Sequence, residues 1–192
     1  MNHVISSDNG YVSSWYGDIS ATLVQQLSAI ELLICDVDGV FSDGRIYLGN
    51  HGEELKAFHT RDGFGIKALL NNNVAVAVIT GRRSQLVSER MQALGVQHIF
   101  QGCEDKLSVY QQLAQQLALE HKQIACIGDD IPDVAMMQHA GVGIAVNDAH
   151  PYVQQQANYV TSLRGGFGAV REVSDLILLS QGKLQLQGGV SL

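Results

Sequence analysis

Four short, almost unbroken apolar runs constrain this chain more than any other feature: residues 31–37 (ELLICDV), 74–80 (VAVAVIT), 124–128 (IACIG) and 142–146 (VGIAV). Each is continuous in hydrophobicity instead of alternating, the pattern of parallel strands covered on both faces. Helical patterns separate them. Residues 63–71 stop at Asn71-Asn72-Asn73, and residues 84–94 close on Gly95. Residues 105–119 carry Leu107, Tyr110, Leu113 and Leu117 at helical spacing, and 131–139, 151–157 and 170–180 follow. A helix over 20–30 precedes the first run, and 96–100 reads as one more short strand. Strand–helix alternation of this kind predicts an α/β fold, a doubly wound, Rossmann-like parallel sheet with right-handed crossovers.

At 192 residues the chain suits a single domain, with its core over about 31–183. One segment interrupts the alternation. Residues 45–48, a turn of Gly49-Asn50-His51-Gly52, and residues 53–59 read as a β-hairpin inserted just after the first strand. Ligand crevices of open α/β sheets lie at the carboxyl ends of strands, so this hairpin (about 45–59) is placed to wall such a crevice. The polar tail, residues 181–192, contains Gly182, Gly188 and Gly189 and reads as a flexible end.

Composition removes several classes of function. The formal net charge is -7 and there is no run of Lys or Arg, so few counterions would be released on a nucleic acid. No apolar stretch approaches the roughly 18 residues of a membrane span, and residues 1–16 lack the basic and apolar regions of a signal peptide. A cytoplasmic protein without nucleic-acid or membrane partners is expected. Cys35, Cys103 and Cys126 form no C-x-x-C pair, and the seven histidines show no zinc-ligand spacing.

The chemistry-bearing residues fall just after the apolar runs. Asp36-Val37-Asp38-Gly39 places two carboxylates where both can converge on one reacting group, although a lone D-x-D also serves turns and caps. Thr80-Gly81-Arg82 offers a hydroxyl and free N–H groups to phosphate oxygens, or an ordinary helix cap. Lys106 stands near a helix start, where a solvated surface charge is the plainer reading. Gly128-Asp129-Asp130-Ile131-Pro132-Asp133 crowds three acids that would repel one another unless they share a cation. An all-oxygen donor set favours a hard cation such as Mg2+, which lets a carboxylate approach a phosphate dianion.

D-V-D-G at 36–39, I-T-G-R at 79–82, Lys106 and G-D-D-I-P-D at 128–133 together resemble the haloacid dehalogenase superfamily of phosphohydrolases. That resemblance implies an aspartyl-phosphate mechanism with Asp36 as nucleophile and Asp38 as general acid/base. It implies that Thr80, Gly81 and Lys106 bind phosphate. Asp36, the main-chain carbonyl of Asp38, and Asp129 would hold Mg2+, with Asp130 or Asp133 in support. The stretch 36–63 (DVDGVFSDGRIYLGNHGEELKAFHTRDG), with A-H-P at 149–151, Y-V-T at 159–161 and 165–173 (GGFGAVREV), more closely resembles the 3-deoxy-D-manno-octulosonate 8-phosphate phosphatases. These lack a large cap domain and act in lipopolysaccharide precursor synthesis. The resemblance implies a homotetramer in which one subunit's hairpin covers its neighbour's site, and a C-terminal tail that reaches an adjacent site. Arg61 and Arg82, beside the two motif loops, are candidates for pairing with a sugar carboxylate, or for surface salt bridges. Phosphatases of nonulosonate 9-phosphates share the same phosphate motifs, and a receiver-like phosphoacceptor domain is the rival of another class. In a receiver, however, the lysine follows the last strands, whereas Lys106 precedes the second acidic cluster.

Overall fold

A computed structural model describes residues 10–184. The chain begins with an antiparallel hairpin, β1 (Tyr11–Ser14) and β2 (Gly17–Ser20), then α1 (Ala21–Ser28), whose first turn is capped by Ser20 accepting from the Leu23 N–H at 3.1 Å. There follow β3 (Leu32–Cys35), β4 (Tyr47–Leu48), β5 (Glu54–Leu55), α2 (Thr60–Asn71), β6 (Ala75–Thr80) and α3 (Gln85–Leu94). The second half runs β7 (His98–Gln101), α4 (Lys106–Gln116), β8 (Ile124–Gly128), α5 (Val134–His139), β9 (Val142–Ala145), α6 (Pro151–Gln156), β10 (Tyr159–Val160) and α7 (Ala169–Ser180).

Six strands form one parallel sheet in the order β10-β9-β8-β3-β6-β7. The continuous apolar runs are explained directly: Leu32, Leu33, Ile34 and Cys35 of the central β3 are wholly buried, as are Ala77, Val78 and Ile79 of β6 and Ile124 to Ile127 of β8. Each buried Leu or Ile contributes about 1.5–3 kcal/mol. Helix α7 packs on α1 and α2, and α4 packs on α5, completing the layers about the sheet. The chain winds from β3 outward through β6 and β7, then returns to β8 on β3's other side. The order therefore reverses between β3 and β8, and the switch-point crevice opens beyond their carboxyl ends.

The doubly wound parallel sheet and the hairpin without a large cap domain agree with the sequence-based fold. The β4–β5 pairing is short, Tyr47 with Leu55 and Leu48 with Glu54, and leaves Leu48 and Leu55 exposed. Three local features differ from expectation. The N-terminal β1–β2 hairpin lies where the sequence predicts no element, because just Val12 and Ile19 of its eight paired residues are buried hydrophobics. The helix expected over 131–139 splits into a 3₁₀ turn (Ile131–Asp133) and α5, since the Asp133 carboxylate folds back onto the N–H groups of Asp129 and Asp130. Strand β10 spans two residues, too few to show a period. Beyond residue 184 the tail expected at 181–192 lies outside the described residues. Among the described residues no helix is long and apolar enough to cross a membrane.

Candidate active site

The register of β3 on β8 pairs Cys35 with Ile127, so the acidic loops after both strands emerge side by side. The Asp36 N–H donates to the Ile127 carbonyl at 3.1 Å, extending the pairing one residue into the site. The chain then tightens, with the N–H groups of Val40, Phe41 and Ser42 all directed at the Val37 carbonyl (3.2, 2.9 and 3.0 Å). Gly39 adopts φ +97° at this turn, and a Cβ there would collide with the Asp129 carboxylate. A glycine is required both for the backbone conformation and for the close approach of the two loops.

Lys106, the first residue of α4, is buried, not solvated, at 7% exposure. Its ammonium donates to Asp36 Oδ1 at 2.6 Å and to Asp133 Oδ1 at 2.7 Å. The other Asp133 oxygen accepts from the N–H of Asp129 at 3.1 Å and of Asp130 at 3.3 Å. Asp133 therefore spans the lysine and the loop backbone. Thr80 ends β6, buried, and its carbonyl holds the Cys103 N–H at 3.1 Å. A cleft of about 520 Å³ joins these groups, walled by Asp36, Asp38, Thr80, Gly81, Arg82, Lys106, Asp129, Asp130 and Asp133, with Gly44, Cys103, Glu104 and Pro132.

Carboxylate oxygens of Asp36, Asp129 and Asp133 lie within 4.8 Å of one another. Burial, with the nearby charges of Asp36, Asp133 and Asp130, pushes Asp129 up to about 8. Burial and Asp133 push Asp36 up to about 6 despite the opposing Lys106. Burial acts to lower Lys106, but Asp36 and Asp133 outweigh it and hold its ammonium above the usual lysine value. Three crowded oxygen donors, two of them resisting ionisation, with no imidazole or thiol in the set, fit a hard divalent cation. One lysine leaves this cluster short of positive charge.

Of the residues singled out in the sequence, Asp36, Asp38, Thr80, Gly81, Arg82, Lys106, Asp129, Asp130 and Asp133 face one cleft. Asp130 stands at its exposed rim, where its carboxylate accepts from the Ile131 N–H at 2.8 Å as a cap. Arg82 lies with its Nε 3.8 Å from Asp38. Arg61 is different: it is exposed at the start of α2 and outside the cleft lining. The neighbouring Asp62 turns inward instead, accepting from the Arg171 N–H at 2.8 Å and so tying α2 to the first turn of α7. Sequence reasoning missed Lys56 and Glu54. Lys56, its side chain covered, forms an ion pair with the partly exposed Asp38 and lies 3.5 Å from Glu54, which in turn lies 3.9 Å from Arg82. Their signal was faint, a charged pair two residues apart on a hairpin strand, where solvated charges are the rule.

Residues 99–164 match the haloacid dehalogenase-like hydrolase family. The chain is 50% identical over 186 residues to the 3-deoxy-D-manno-octulosonate 8-phosphate phosphatase of Yersinia pestis, covering 97% of this chain and all of that one. The crystal structure of a Yersinia pestis phosphatase of that name superposes with a TM-score of 0.92 over 95% of this chain and 98% of the other, at 50% identity. The Moraxella catarrhalis phosphatase of that name, solved with magnesium, phosphate and KDO, gives 0.82 at 42% identity, covering 83% and 92% of the two chains.

Proposed function

The chain belongs to the 3-deoxy-D-manno-octulosonate 8-phosphate phosphatases, within the haloacid dehalogenase-like hydrolases, and from that premise we propose that it is a Mg2+-dependent phosphatase hydrolysing 3-deoxy-D-manno-octulosonate 8-phosphate through an aspartyl-phosphate on Asp36. One observation supports this most: Lys106 bridges Asp36 and Asp133 across the β3/β8 crevice, with Asp129 alongside. A nucleophile, a cation and an oxygen-donor set thus converge where a phosphate would enter.

Asp36 attacks phosphorus as a carboxylate, and the bond to the sugar oxygen breaks. Asp38, two residues on and lining the same cleft, gives its proton to the departing alkoxide. Deprotonated, Asp38 then takes a proton from water, which attacks the aspartyl-phosphate and releases phosphate and free Asp36. Lys106 and Thr80, with the Gly81 backbone, hold the equatorial oxygens as charge spreads over them. Asp36, Asp129 and the Asp38 carbonyl would hold Mg2+, which when bound would offset the repulsion between carboxylate and phosphate. Asp133 supports that set by orienting Lys106 and the Asp129–Asp130 backbone, whereas the capping role of Asp130 makes it the lesser contributor.

Arg82 is suited to the substrate carboxylate, being half exposed on the cleft wall; the placement of Arg61 gives it less support. The homotetramer, with the hairpin covering a neighbouring cleft, is carried over from the family resemblance; the exposed Leu48 and Leu55 give the hairpin an apolar surface that such a contact would bury. A cytoplasmic location in lipopolysaccharide precursor synthesis is in keeping with this substrate. The decisive experiment assays eight- and nine-carbon keto-sugar-acid phosphates with Mg2+ and compares kcat/KM. Preference for the nine-carbon ester would replace the proposed substrate with a nonulosonate 9-phosphate.

A further inference from the structure

Lys56 follows β5 on the hairpin's return strand, and its side chain is completely buried at 0% exposure. A buried ammonium persists only where partners compensate its lost hydration. Here the main partner is the Asp38 carboxylate, through Oδ1. Ser42 Oγ also donates to that oxygen at 3.4 Å. The other oxygen, Oδ2, faces Arg82 Nε at 3.8 Å. Glu54 closes the ring, with Oε1 3.5 Å from Lys56 and Oε2 3.9 Å from Arg82. Two acids and two bases thus alternate among the hairpin, the end of β3 and the loop after β6. Lys56 is not among the residues that line the cleft, whereas Asp38 is.

We infer that Lys56 is a positioning residue for proton transfer: it clamps Asp38 Oδ1, with Glu54 holding Lys56 in place, and leaves Oδ2 to serve the departing and attacking oxygens. The hairpin then has a role beyond walling the crevice, because it supplies the group that orients the general acid/base. A general acid must lie within hydrogen-bond reach of its target oxygen, and a freely rotating carboxylate loses that geometry. Lys106 cannot substitute, since it is engaged by Asp36 and Asp133. This inference rests on the phosphatase reading.

The test compares wild type, Lys56→Met, Lys56→Arg and Glu54→Gln with Mg2+ on two esters, the sugar-acid phosphate and p-nitrophenyl phosphate. The sugar alkoxide needs a proton to leave, whereas p-nitrophenolate does not. Lys56→Met is expected to lower kcat on the sugar ester about 100-fold with KM held within about twofold, the size of a lost acid/base contribution. On p-nitrophenyl phosphate the same variant should release a rapid burst of p-nitrophenolate and then turn over slowly, since only hydrolysis of the aspartyl-phosphate still requires Asp38. Lys56→Arg should recover at least about tenfold of the lost kcat, because it restores the cation. Should Lys56→Met fail to fold by circular dichroism, Glu54→Gln carries the test, with about a tenfold loss of kcat on the sugar ester and an undiminished burst. A loss expressed in KM, a burst slowed as much as sugar-ester turnover, or an unchanged kcat would overturn the inference while leaving an active wild type as a phosphatase. A wild type idle on both esters would overturn the phosphatase reading and this inference with it.

Discussion

Replacing Asp62 with asparagine should make the protein more stable at neutral pH and should do so less, or not at all, near pH 4. Asp62 is buried between α2 and α7; its Oδ1 accepts from the Arg171 N–H at 2.8 Å, while Oδ2 has no hydrogen-bond partner. Burial raises its pKa from 3.8 to about 6, against the lowering influence of the Arg171 N–H, of His59 and of the Gly168 and Val170 N–H groups. A raised carboxyl pKa means that the folded state holds the proton more tightly than the unfolded one. Stability therefore falls as pH climbs from about 4 to about 6, and the whole penalty is present above that window. Two pK units correspond to about 3 kcal/mol. The N–H groups at the α7 N-terminus already act within that shift, so the gain expected on removing the charge at neutral pH is about 3 kcal/mol. Asparagine keeps an oxygen for Arg171 and removes the charge. Urea unfolding of both proteins in metal-free buffer at pH 4 and pH 7.5 measures the double difference, free of titrations common to both. A stability difference independent of pH, or an advantage of Asp62→Asn over wild type that is smaller at pH 7.5 than at pH 4, would refute the reasoning and make the charge a net-favourable cap.

Other outcomes follow from the cleft. Asp36→Asn should cut turnover by at least about 10⁴-fold with the circular dichroism spectrum unchanged, since no other group in the site can carry the phosphoryl. Added Mg2+ should raise the melting temperature more at pH 8.5 than at pH 6. Asp129 is pushed up to about 8 and Asp36 to about 6, so at the lower pH the cation must displace protons to bind; equal shifts at both pH values would contradict this. Arg82→Ala should lower kcat/KM for a sugar-acid phosphate by about tenfold or more relative to a neutral sugar phosphate, whereas Arg61→Ala should change that ratio by less than about twofold. The ratio of the two kcat/KM values, measured for each variant, decides between them.

Much was legible in the sequence because burial leaves a local trace. Residues 31–37, 74–80, 124–128 and 142–146 had to be almost unbroken in apolar residues to sit inside a covered sheet, and the structure finds strands in all four. The acids and Thr80 were visible for a related reason: polar residues at the end of an apolar run mark where a strand leaves the core, and in this fold that is the crevice. Lys106 was harder to weigh. Its sequence surroundings are those of a surface helix, and its burial arises only because α4 begins beside loops that lie 70 and 27 residues away.

Asp36 and Asp38, two residues apart in the chain, were the pair that the sequence determined, together with the order of groups around them and the fold class. Only the tertiary structure decided what each carboxylate touches. The β3–β8 register sets Asp36 beside Asp129, and the return of the hairpin brings Lys56 against Asp38 while Arg61 stays outside. The physical reason is that hydrophobic burial is non-directional and written in local patterns. An ion pair depends on the mutual placement of segments far apart in sequence, to within an ångström. A hairpin of two-residue strands has no local pattern that says which of its charges will face inward.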